Sequence, residues 1–378
     1  MRIPFAASER ASLGVEWEIE LVDTETRELR SGASEILAEI CPADAAEHPK
    51  AKHELLESTV EVVTGVCSTV AEAKEDLAGT VREVRKAAAN LNLGLMCSGT
   101  HPFTDWTTQQ VSPNPRYHAL VEAMQWLARR LQIFGVHVHV GVRSPEKVIP
   151  IVNALTEYIP HLLALSSSSP YWIGTDTGLA SARSKVFESL PTAGLPYQLS
   201  GWDEFESYMH TLISTRTIQS IREVWWDIRP HPDFGTVELR ICDGVPTFDE
   251  IGAIAALSQC LVERLDRELD RGYTLPVPTS WVVRENKWRA ARYGLAAEVI
   301  VDDRGNVVPM KHAILDVVED LMPTARRLDC ADELADVERI VALGSSAQRQ
   351  RAVAAAHDGD LTKVVDALQA EFRDGLAR

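Results

Sequence analysis

The sequence predicts an α+β fold, an antiparallel sheet covered by helices and followed by a helical C-terminal extension. Three observations predict it. Four separated segments alternate apolar and polar residues with period two, as half-buried strands do. Amphipathic stretches such as 71–92 alternate with them and carry the 3.6-residue period of helices. Beyond about residue 249 the pattern is almost wholly helical. No internal repeat or low-complexity linker divides the 378 residues. We therefore expect a main domain over 1–300 and a helical extension over 301–378 packed on it.

The first strand organises the rest. Leu13, Val15, Trp17, Ile19 and Leu21 alternate with Gly14, Glu16, Glu18 and Glu20. One face is apolar and the other carries carboxylates. Glutamate is depleted in strands, and side chains at i and i+2 lie only about 6.5–7 Å apart. Carboxylates that close repel unless a cation or water lies among them. The plainer reading is a solvated outer face, and Glu20, near the strand end, is expected to be solvated.

The chain then runs through a polar turn (23–30) and a short helix (34–40) that stops near Pro42. In the β-rich stretch 59–63, Val60 and Val62 point one way and Thr59, Glu61 and Val63 the other. Glu57 shares the Glu61 face if the strand starts that early. Glu54 has the opposite parity and reaches that face only from a bend. Helix 71–92 and a buried strand over 93–99 follow. Pro113 and Pro115 break the next loop, and a helix is expected over 117–133. Residues 134–142 alternate strictly, with Val136, Val138, Val140 and Val142 on one face and His137 and His139 on the other. Pro145 opens a helix to about residue 164, and another spans 203–215. In the strand 236–243, Val237, Leu239 and Ile241 face the core while Glu238 and Arg240 share the opposite face. Helices follow over 249–271 and 281–295. A small hairpin over 298–308 turns at Asp303-Arg304-Gly305-Asn306, and two or three helices follow from Pro309. Trp225 and Trp226 read as packing, and His231 as turn chemistry.

If the four strands lie in one sheet, their polar faces converge, because neighbouring strands are about 4.8 Å apart. Glutamates from three strands with histidine suit hard divalent cations. With arginine beside them, the chemistry pointed to is metal-assisted phosphoryl transfer from ATP. Each element has a plainer reading: Arg240 pairing with Glu238, or histidines satisfied within the fold. No P-loop and no Gly-x-Gly-x-x-Gly turn is present. The net charge of −17 argues against a general nucleic-acid binder and against an anionic membrane surface. No stretch approaches the roughly 18 apolar residues of a membrane span, and the N-terminus lacks an apolar signal core. Six scattered cysteines without Cys-x-x-Cys argue against zinc knuckles and disulfide frameworks. A cytoplasmic protein acting on small molecules is expected. A homodimer is expected too, since an exposed functional sheet needs cover.

Six stretches, GVEWEIELVD, HELLESTVEVVTG, GVHVHVG, SARSKVFESLPTAGLP, WWDIRPHPDFGTVELRICD and ENKWRAARYGL, occur in an order that resembles the carboxylate–amine ligases of the glutamate–cysteine ligase type 2 group. The resemblance runs from about residue 8 to 300. It implies a glutamine-synthetase-like catalytic sheet, ATP, Mg²⁺ and a γ-glutamyl phosphate attacked by the amine of cysteine. It implies that Glu16, Glu18, Glu54, Glu61 and Glu238 ligand metal. His137 would sit by the metal or phosphates, and Arg240 would stabilise the transferring phosphoryl group. Arg183 resembles a substrate-carboxylate binder, while Arg289 and Arg292 are candidates for nucleotide contact or for salt bridging. A phosphotransferase of the same superfold and a non-catalytic ion-binding protein stay open at this point.

Overall fold

The computed structural model describes residues 2–302 and 304–377. Strands β1 (Leu13–Asp23), β2 (Ala51–His53), β3 (Thr59–Val63), β4 (Leu93–Met96) and β5 (Val136–Gly141) come first in the chain. A small pair, β6 (Tyr171–Trp172) and β7 (Thr175–Asp176), precedes β8 (Ile228–His231) and β9 (Thr236–Leu239). The expected late hairpin forms from β10 (Glu298–Ile300) and β11 (Val307–Pro309); Asp303 of its turn lies outside the described residues. The helices are α1 (Ala33–Ile40), α2 (Val70–Asn90), α3 (Pro115–Met124), α4 (Trp126–Arg129), α5 (Pro145–Leu155), α6 (Ile159–Ser166) and α7 (Ala182–Phe187). They continue as α8 (Trp202–Ser214), α9 (Phe248–Asp270), α10 (Ser280–Tyr293), α11 (Met310–Arg327), α12 (Ala331–Leu343), α13 (Ser346–Ala356) and α14 (Leu361–Ala377).

The main sheet has seven strands in the order β2-β3-β1-β5-β9-β8, with β4 also paired to β1. Every pairing is antiparallel. At eleven residues β1 is long enough to serve two neighbours on one side. Its first half pairs with β5 and its second with β4. The apolar face of β1 is sealed: Leu13, Val15, Trp17, Ile19 and Leu21 are each at most 2% exposed. Burial of such side chains is worth about 1.5–3 kcal/mol apiece. Helices α2 and α9 cover this face, α2 opening with a Thr69–Glu72 capping box. Trp17 stacks on Phe372 of α14 at 4.9 Å and meets Phe248 of α9 edge-on at 5.1 Å.

Several expectations need correction. The helix over 117–133 is two pieces: Gln125 has φ 49° and separates α3 from α4. No α3 side chain is buried, so no packing carries the helix through that point. Four helices, not two or three, follow residue 309 among the described residues. Strands β4 and β9 stop at Met96 and Leu239, short of the expected ends. The helical run 145–166 is, contrary to expectation, long and apolar enough to cross a membrane, but 78% of its most apolar 18-residue stretch is buried inside the protein. Its apolarity is that of a core helix, interrupted by a 3₁₀ turn at Thr156–Tyr158.

Candidate active site

Strand register decides which carboxylates meet. Glu18 of β1 lies opposite Glu61 of β3, and Glu16 opposite His137 of β5. His139 faces Glu238 of β9, which in turn faces Arg229 of β8. Two glutamates directly opposite one another destabilise a sheet, so the Glu18–Glu61 pair is a local cost without a cation or proton between them. Glu54 joins them from the bend after β2, as its parity required, and accepts a hydrogen bond from Tyr117 Oη at 3.0 Å. All these residues except His139 and Glu238 line one cleft of about 1090 Å³, with Arg183, Arg229 and Arg240 on its wall.

Two groups of side chains, all lining the cleft except Glu238, bring potential ligand atoms within 4.8 Å of one another: Glu16, His137 and Glu238, and Glu18, Glu61 and His137. His137 belongs to both. Glu54 belongs to neither, although it lies in the same cleft. Carboxylate oxygens with one imidazole form a donor set for hard or borderline divalent ions.

The electrostatics divide the site in two. At the first group, burial raises the Glu16 carboxyl, but His139 and His137 outweigh it and hold Glu16 well below the usual range. Their ring nitrogens lie 3.0 Å (His137 Nδ1) and 3.2 Å (His139 Nε2) from its oxygens. Burial likewise opposes ionisation of Glu238, yet Arg229 and Arg240 keep it charged. Arg229 Nε donates to it at 2.6 Å, and Arg240 Nη1 also bonds it. Burial, then the Arg240 charge, drops His137 to about 4, leaving a neutral imidazole able to ligate. At the second group, burial and then the Glu54 charge push Glu18 up to about 8, although Gly135 N–H donates to it at 2.5 Å. Burial and the neighbouring glutamates raise Glu61 well above its ordinary value. In this half Arg183, Arg240 and Lys52 offset the carboxylates only in part, and a cation would supply the rest.

Arg240 keeps a spare donor: among the described residues its buried Nε has no hydrogen-bond partner. Arg183 is 3% exposed; its Nη atoms donate to the carbonyls of Ile241 and Arg240 at 3.3 Å, and its Nε is also unpartnered. Arg289 and Arg292 are not brought to this cleft. Arg289 pairs with Glu285 at 2.9 Å, and Arg292 donates to the carbonyl of Gly178. Glu20 is fully buried rather than solvated, because β4 pairs beside the end of β1 and the chain just beyond it brings Ser98 to Glu20; it accepts from Ser98 N and Oγ at 2.9 Å, and burial raises it well above the usual range. Glu57 leaves the sheet face altogether and accepts from Ser34 at the start of α1.

Sequence reasoning missed two contributors. Arg229 holds Glu238 while anchored to the carbonyls of Val224 and Arg222. Its signal was available, since Ile228 alternates with Asp227 and Arg229. Lys287 is 2% exposed and pairs with both Asp227 and Glu188 at 2.5 Å. It ties together three of the stretches that carry the resemblance. A lone lysine in a polar helix gives no sequence signal of such burial.

Residues 12–367 match the family model described as glutamate-cysteine ligase family 2. The chain belongs to that family. Among family relatives, "Putative glutamate--cysteine ligase 2-1" of Frankia alni is 62% identical over 376 residues, covering 99% of this chain and 98% of that protein. "Putative glutamate--cysteine ligase 2" of Thermobifida fusca is 55% identical over 376 residues, covering 99% and 94%. Two solved structures share the fold at low identity. The glutamate–cysteine ligase of Francisella tularensis, solved with AMP, has a TM-score of 0.71 at 12% identity and covers 99% of this chain and 91% of its own. The bifunctional glutathione synthetase of Pasteurella multocida has a TM-score of 0.70 at 14% identity and covers 97% and 52%. The glutamine-synthetase-like sheet with its helical cover is thus the fold of this family member.

Proposed function

We propose that this chain is an ATP- and Mg²⁺-dependent ligase that joins the γ-carboxyl of glutamate to the amine of cysteine through an acyl phosphate, releasing ADP and phosphate. The observation that carries the reading is the pair of ligand groups sharing His137, with the unpartnered Arg240 Nε beside them. Family membership over nearly the whole chain supports the reaction class. The residues fit divalent ions: Glu16 and Glu238 would hold one and Glu18 and Glu61 another, with the single lone-pair nitrogen of His137 serving one of the two and Glu54 contributing from the bend. Bound there, such ions would supply positive charge to offset that of the phosphates.

The protein's own groups do the rest. Arg240 donates its spare N–H to the phosphoryl group in transit, where a fixed donor lowers the barrier at no reorganisation cost. Arg229 keeps Glu238 ionised and aligned. Arg183 takes a substrate carboxylate through its orphan Nε. The cleft walls exclude water from the acyl phosphate, and a glutamate of the cluster receives the proton of the attacking amine.

The test is phosphate release from MgATP across amino acids offered singly and in pairs. Release should need glutamate, rise with cysteine and yield γ-glutamylcysteine by mass. Release with one acid and no amine dependence would overturn the ligase assignment in favour of phosphotransfer. Release that needs a different pair would keep the ligase and replace its substrates.

A further inference from the structure

The arginine-lined half of the cleft ends in an aromatic ring with one open face. The β8–β9 turn puts Phe234 at the cleft wall, 51% exposed. Of the described aromatic residues lining the cleft it is the most exposed. Its ring stacks on His231 with centroids 4.2 Å apart and planes within 10°. Burial drops His231 to about 4, so the backing ring is neutral. Behind both stands His139, 5.6 Å from Phe234 and 3.2 Å from Glu16. The open ring is therefore two side chains from the ligand group of Glu16, His137 and Glu238.

The mount is rigid. The N-terminal segment pins the turn: Ala6 N donates to Pro232 O at 2.9 Å and Ser8 Oγ to Phe234 O at 2.5 Å. Gly235 has φ +64°, and a Cβ there would lie 1.5 Å from Ala6 O. Only glycine lets the two segments approach so closely. A large exposed aromatic held this firmly is not explained by core packing. A preorganised ring costs little entropy when a ligand lands on it.

We infer that the open face of Phe234, backed by His231, is the stacking platform for the nucleobase of the nucleotide. The inference rests on the ATP-dependent reading and deepens it by orienting the nucleotide. Polyphosphate lies against the Glu16–His137–Glu238 group and Arg240, and the base lies outward on Phe234. The acidic half around Glu18, Glu54 and Glu61 is left to the amino-acid substrates. Stacking accepts any base, because every base has a π-face; the platform orients the nucleotide without choosing adenine over guanine.

Calorimetric titration with Mg·ADP and with Mg·pyrophosphate, on the wild type, F234A and F234W, tests this. Base–aromatic stacking predicts that F234A binds Mg·ADP about 5- to 150-fold more weakly. Mg·pyrophosphate binding should be unchanged, and F234W should restore Mg·ADP affinity. Unchanged Mg·ADP affinity in F234A overturns the platform, as does an equal loss of both ligands, which would show a disturbed phosphate site. A wild type that binds Mg·pyrophosphate as tightly as Mg·ADP also overturns it, while leaving the metal–phosphate reading intact. A wild type that binds neither removes the ATP reading itself.

Discussion

Replacing Glu18 by glutamine should stabilise the metal-free protein while abolishing turnover, and the stabilisation should depend on pH. Burial and Glu54 raise Glu18 from 4.5 to about 8. A carboxyl raised on folding holds its proton more tightly in the native state. Its stabilising share is complete below about 4.5 and is lost as pH climbs through about 8. At pH 7 the native protein has forgone about 3 kcal/mol, and at pH 5 under about 1 kcal/mol. Glutamine keeps the shape and can still accept from Gly135 N–H, but it has no proton to hold. In EDTA, E18Q should therefore unfold about 3 kcal/mol later than wild type at pH 7. That is about 4 °C in Tm for a chain of this size, and the gap should nearly close at pH 5. Excess Mg²⁺ should reverse the order, since binding to the native state stabilises only the protein whose ligands are intact. Urea unfolding at the two pH values, with and without Mg²⁺, measures all four differences. A gap that ignores pH, or an E18Q protein that gains as much from Mg²⁺ as wild type, would refute the reasoning.

Arg240→Ala should cut kcat for phosphate release by about 10²–10³-fold, with Glu238 still paired to Arg229; a loss seen only in KM would move Arg240 out of the transition state. Lys287→Met strands the buried carboxylate of Asp227, and loss of one partner of such a pair costs about 3–5 kcal/mol. Urea unfolding should show it, and a change under about 1 kcal/mol would mean that the trio is solvated. Glu20→Gln replaces a carboxyl that burial keeps protonated. By the same linkage it should raise the unfolding free energy at pH 7 by about 3 kcal/mol, and an equal loss instead would mean that Glu20 is ionised in the fold.

What could be read from the sequence was whatever period two exposes. Glu16, Glu18, Glu61, His137, Glu238 and Arg240 share strand faces with alternating valines, and the antiparallel sheet follows from the same alternation. Parity also showed that Glu54 could arrive only from a bend. Register was not legible: that Glu18 opposes Glu61, while Glu16 opposes His137, depends on where turns release each strand. Burial from a distant neighbour was hidden too. Glu20 looks like the solvated end of a strand until β4 pairs beside it and Ser98 closes on its carboxyl. Lys287 looks like an ordinary helix-surface lysine until Asp227 and Glu188 close on it. The break at Gln125 escaped because nothing local forbids a helix there; what is missing is a buried face to sustain one. Arg289 and Arg292 were considered because of the motif around them, and motif membership says nothing about which way a helix turns its side chains.

The indole of Trp17 lies between Glu16 and Glu18 in sequence but on the opposite side of the sheet, stacked on Phe372. Synthesis runs from the N-terminus, so β1 emerges long before the helix that closes its back. Until α14 has left the ribosome, the strand that positions both ligand groups has an unfilled slot beneath it. The site is therefore expected to be a late product of folding, assembled only after residues 361–377 have been made. A chain stalled before residue 361 is expected to bind metal weakly and to be cut readily within the sheet. Limited proteolysis of stalled chains, set beside released protein, would show the order in which the two ends of the sequence meet.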